Sequence, residues 1–148
     1  MNPSLQADLQ QALSAVLADI QAAVADLRQA LGDEREALDR ADPAALNRAG
    51  DAKQALLQRL ERLDAERRQL AREAGAPNAG QQAAWTQVLQ VLHECQRANQ
   101  RNGRLIGQRL RHVRQALSVL TGQRDEAGVY GPAGVLGHAY RSLPLAQA

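Results

Sequence analysis

Lys53 is the only lysine in a chain with 17 arginines. A lone lysine can serve as an amine catalyst when its surroundings lower its pKa. A lyase or mutase built on it also needs arginines and carboxylates gathered around one pocket. Here the arginines fall mostly on polar helix faces, so the pattern points to no enzymatic activity. His93, Cys95 and His112 are metal-capable types on one predicted helix. Tetrahedral zinc wants four ligands at suitable spacing. Positions 93 and 95 point to different faces of a helix. The expectation is therefore no metal and no cofactor, with a surface histidine and a buried, small, apolar cysteine.

Arg97, Arg101, Arg104, Arg109, Arg111 and Arg114 form a basic stretch that could contact phosphates. No helix-turn-helix spacing, zinc module or aromatic interleaving accompanies it. A solvated helix face explains it better than nucleic acid does. Tyr130 stands in Val129-Tyr130-Gly131-Pro132-Ala133-Gly134, which reads as a turn. A tyrosine there is also a recognition handle, with a rigid ring and a polar tip.

The elements that position these residues are helices. Ala, Leu, Gln and Arg number 29, 22, 18 and 17 of 148 residues. All four favour helix, whereas the β-branched and aromatic strand formers are scarce. Prolines at 3, 43, 77, 132 and 144 leave three long proline-free segments. Proline in a helix interior costs ~3 kcal/mol, so each segment reads as one long helix. The expected fold is all-α. Long antiparallel helices over about 4–40, 43–73 and 81–121 form a bundle within 1–122, and 123–148 is a glycine-rich, partly flexible tail.

On the first helix Leu17, Val24, Leu31 and Leu38 repeat every seven residues, beside a second row of Leu13, Ile20 and Leu27. Two rows make a stripe suited to a bundle rather than to a two-stranded seam. Asp42-Pro43 reads as an N-cap and first helical residue. Gly75-Ala76-Pro77 reads as a stop. On the third helix Asn99 and Asn102 occupy stripe positions and Gly103 and Gly107 follow, so a break near Asn102-Gly103 is an open alternative to one continuous helix. Residues 1–74 carry 10 basic and 13 acidic groups, and 75–148 carry 8 and 3. No apolar run reaches the ~18–20 residues of a membrane span and no signal peptide is visible. A single cysteine agrees with a reducing cytoplasm.

Order and spacing over nearly the whole chain resemble one known family. The residues are Asp42-Pro43-Ala44-Ala45-Leu46, then Lys53, Leu56 and Leu57, then Asn99-Gln100-Arg101-Asn102-Gly103-Arg104-Leu105-Ile106. Leu110, Val113, Leu117 and Leu120 follow, and Tyr130-Gly131-Pro132-Ala133-Gly134 stands at the distance of a similar Tyr-Gly turn. The pattern resembles the FlgN family of flagellar type III export chaperones. That resemblance implies a cytoplasmic, non-enzymatic chaperone of the hook–filament junction proteins FlgK and FlgL, bound through their C-terminal helical segments. It also implies docking on the export gate protein FlhA. Carried over, Tyr130 is the gate contact. Leu105, Ile106, Leu110, Val113, Leu117 and Leu120 line the client site. A homodimer is an additional possibility. The alternatives are a helical adaptor that binds another amphipathic helix, and a basic helical binder of nucleic acid, which salt dependence separates.

Overall fold

The computed structural model describes residues 2–122, and the expected tail and Tyr130 lie outside them. The described chain is three helices: α1 (Pro3–Asp39), α2 (Pro43–Ala74) and α3 (Ala79–Thr121). Each starts on a polar cap. Asn2 accepts from the Ser4 amide and Asp42 from the Ala45 amide, each with proline at the first helical position. Asn78 and Gln81 exchange side-chain and backbone hydrogen bonds in a capping box.

Gly75 and Gly122 end α2 and α3 at φ 80° and 64°, a region where other residues are strained. Between α1 and α2 that position is Ala41, at φ 50°. Its amide donates to the Leu38 carbonyl and the Asp42 amide donates to the Ala37 carbonyl, which closes a Schellman motif. The left-handed alanine costs roughly 1 kcal/mol, offset by the carbonyls it lets the turn satisfy.

Helix α1 is central. Both of its apolar rows are buried, because it has a partner on each. Leu13, Val16, Leu17, Ile20 and Val24 form one core cluster with Ala74 and Val88. Leu27 and Leu31 form a second with Cys95. Helices α2 and α3 both pack on α1, and their own Cα atoms come nowhere within 8 Å of each other. Side chains join them instead, as where the Arg67 guanidinium lies 3.9 Å over the Trp85 ring. That contact adds a cation–π attraction to the apolar burial of the indole.

The register follows from the polar contacts. Gln21 meets Gln87, Arg28 meets Glu94, Cys95 meets Val24 and Asn102 meets Leu31, at sequence separations of 66 to 71. A near-constant separation means that α1 and α3 run parallel. Helix α2 is antiparallel to both: Lys53 meets Glu34 and Asn99 near one end, and Ala74 accepts from Gln6 near the other. The chain therefore runs up, down and up.

Candidate functional site on the distal part of the third helix

Gln81, Val88, Cys95 and Asn102 recur every seven residues on α3 and are all buried against α1. Three of them donate to α1 backbone carbonyls. Gln81 Nε2 reaches the Gln10 carbonyl at 3.1 Å, Cys95 Sγ the Val24 carbonyl at 3.9 Å, and Asn102 Nδ2 the Leu31 carbonyl at 3.0 Å. Helical carbonyls have a second lone pair, so these contacts satisfy buried donors without breaking α1. Cys95 is buried as its composition suggested, and His93 is exposed. Burial, with Arg28 opposing and Glu94 assisting, pushes the Cys95 thiol up to about 11. The described residues hold no cluster of three or more His, Cys, Asp or Glu able to bind a metal.

Beyond Cys95 the core turns polar. Glu34 is fully buried, and Lys53, Asn99 and Asn102 are 5%, 7% and 2% exposed. Lys53 Nζ donates to Glu34 Oε2 at 2.8 Å and to Asn99 Oδ1 at 3.1 Å. Asn102 Nδ2 donates to Glu34 Oε1 at 2.9 Å. Each helix contributes to this layer, and both carboxylate oxygens are satisfied. The layer explains why Asn99 and Asn102 sit on the stripe, and why α3 runs unbroken past Asn102-Gly103. The Asn99 carbonyl oxygen is tied to Lys53, and the Asn102 amide to Glu34 and the Leu31 carbonyl, across the bundle. Lys53 is thus a buried ion-pair partner. Sequence reading singled out Lys53, Asn99 and Asn102 but missed Glu34. The available signal was a carboxylate on the stripe between Leu31 and Leu38.

A small apolar cluster closes the bundle below that layer. Ala37, Leu38, Leu46 and Ile106 are buried there, with Ala45, Leu105 and Leu110 packed against them. This splits the six expected client-site residues. Ile106 is 7% exposed and belongs to the core, while Leu105 and Leu110 are half-buried. Val113, Leu117 and Leu120 are 56%, 42% and 82% exposed. Val119, which the stripe reading did not include, is 77% exposed on another face.

The cause is length. Helix α1 stops at Asp39 and α2 starts at Pro43, opposite the Leu105–Leu110 turn of α3. Helix α3 continues to Thr121, so its last three turns project roughly 16 Å beyond the bundle at 1.5 Å per residue. The projection keeps the spacing of the buried stripe: Ile106, Leu110, Val113, Leu117 and Leu120 step by four, three, four and three. An apolar helical row that leaves its bundle in register is a half-built helix–helix interface.

No described helix is long and apolar enough to cross a membrane. Comparison with curated proteins and with solved structures finds no match for this chain. A family model described as FlgN protein matches residues 1–137, which include all three helices, the polar layer and the projecting stripe. The chain belongs to the FlgN family of flagellar export chaperones.

Proposed function

We propose that this protein is a cytoplasmic chaperone of the hook–filament junction proteins FlgK and FlgL, which holds their C-terminal helical segments unassembled and hands them to the export gate protein FlhA. The observation that carries this reading is the exposed row Val113, Leu117 and Leu120, continuous with the core row through Leu110. A client helix that lays its own apolar face there completes the interface that α1 and α2 are too short to provide. Burial of the two rows supplies the drive, at about 25 cal/mol per Å² before ordering costs. A captured segment is shielded from its assembly partners for as long as it stays bound.

Calorimetric titration of the full chain with the C-terminal segment of FlgK from the same organism tests this. The expected result is micromolar or tighter binding with a negative heat-capacity change. Leu117→Asp is expected to weaken it by about tenfold or more, since a charge would enter an apolar seam. A folded protein that ignores both FlgK and FlgL segments refutes the assignment. For the gate contact, Tyr130→Ala is expected to lower secretion while leaving segment affinity unchanged. Equal loss of both would reassign Tyr130 to the client site or to folding.

A further inference from the structure

The charged residues along the projecting row are all basic. Glu94 is the only acidic residue of α3, and it is paired with Arg28 far from the projection. At about 100° per residue, Arg109 lies about 60° to one side of the Ile106–Leu120 row and Arg114 about 80° to the other. Both are exposed, as are Arg111 and His112 behind them. Among the described residues, Arg109, Arg111 and Arg114 have no ion-pair partner. Elsewhere the arginines divide, and seven of them, Arg97, Arg101 and Arg104 of α3 included, also have no ion-pair partner among the described residues. Arg28, Arg35, Arg40, Arg67 and Arg68 all meet carboxylates. What sets the distal row apart is that its apolar residues lack cover while every charged residue flanking them is basic.

From this we infer that the distal face of α3 selects amphipathic helices whose apolar stripe is flanked by aspartate or glutamate. The inference rests on the reading of that face as a client site and adds the chemistry of the partner. Guanidinium forks on both rims match carboxylates flanking a docked stripe, as charges beside a coiled-coil seam set partner choice. The same rims act against a second copy of the chain. Two such projections laid together bring only basic charge to each other, since neither carries a carboxylate between 95 and 121. Like charges across an interface penalise the wrong partner more than matched ones tighten the right one. The apolar row between the rims also offers nothing to a phosphate backbone.

The test uses the full chain and three synthetic peptides with one leucine stripe at 3–4 spacing, flanked by glutamate, glutamine or lysine. Fluorescence anisotropy at low and high salt reads the affinities. The glutamate peptide is expected to bind roughly tenfold tighter than the lysine peptide at low salt, with the gap closing as salt rises. The double variant Arg109→Gln, Arg114→Gln is expected to erase that preference while keeping affinity for the glutamine peptide. Equal affinities, or a preference for lysine, overturn the inference. Tighter binding of a short DNA duplex than of the glutamate peptide overturns it in favour of nucleic acid. Self-association by sedimentation that Leu117→Asp abolishes overturns it in favour of a second copy. Slow amide exchange over 113–120 in the free monomer overturns it in favour of the chain's own residues 123–148. FlgK-segment binding measured alongside keeps the two readings apart. A bound segment with flank-blind peptides sinks the charge selection alone, and flank-dependent peptides with no bound segment sink the client assignment alone.

Discussion

Glu34 stands on the apolar row of α1 between Leu31 and Leu38, where a buried carboxylate is costly unless a cation and hydrogen-bond donors meet it. Lys53 and Asn102 meet it, and Asn99 accepts a further hydrogen bond from Lys53. Removing one partner strands the other. Lys53→Met is therefore expected to destabilise the fold by about 3–5 kcal/mol, seen as a lower urea midpoint. The double variant Glu34→Leu, Lys53→Met is expected to recover most of that loss, because both charges leave together. A single variant as stable as the parent would mean that the layer carries no such coupling. Arg67 and Arg68 hold a milder version of the same pairing on the surface of α2. Burial pushes Asp64 up, but their hydrogen bonds and charges outweigh it and hold the carboxyl below its usual range. The oddity of one lysine among arginines was legible in the sequence. Its role was not, because the role depends on which carboxylate faces it from another helix.

Helices were legible down to their ends. Asp42-Pro43 and Gly75 each act as the spacing predicts, since caps depend on neighbours within a few residues. The α1–α2 turn departs from the usual glycine by placing Ala41 at positive φ. The projecting end of α3 was not legible, because the apolar row does not change character where its cover stops. Stability measurements separate the two halves of that row. Ile106→Ala removes buried methyl groups and is expected to cost about 2–4 kcal/mol. Leu117→Ala acts on a side chain that is 42% exposed and is expected to change stability by no more than ~0.5 kcal/mol. Urea denaturation of both checks this, and equal losses would mean that the distal turns are covered in the free protein.

At the scale of the whole molecule, the layout follows from α1 having two apolar rows and α2 and α3 one main face each. A central helix with two faces takes two partners, which is why α2 and α3 meet only through side chains such as Arg67 and Trp85. The parallel run of α1 and α3 is held in register by Gln81, Cys95 and Asn102 on α1 carbonyls, contacts invisible to any search for apolar periodicity. By itself the sequence determined the all-α class, the three proline-free helical segments and the basic balance of the second half, but not whether the third segment is one helix or two. Those depend on propensity, proline placement and local caps, which act over a few residues. Its Asn-Asn-Gly and Tyr-Gly elements also carried the family resemblance. Only the tertiary structure decided which apolar residues are core and which remain open. Leu110 and Leu117 share one row and one residue type, yet one packs beneath Leu38 and Leu46 and the other projects past them. That difference is set by where α1 ends and α2 begins relative to α3, a register fixed by contacts between residues some 66–71 positions apart.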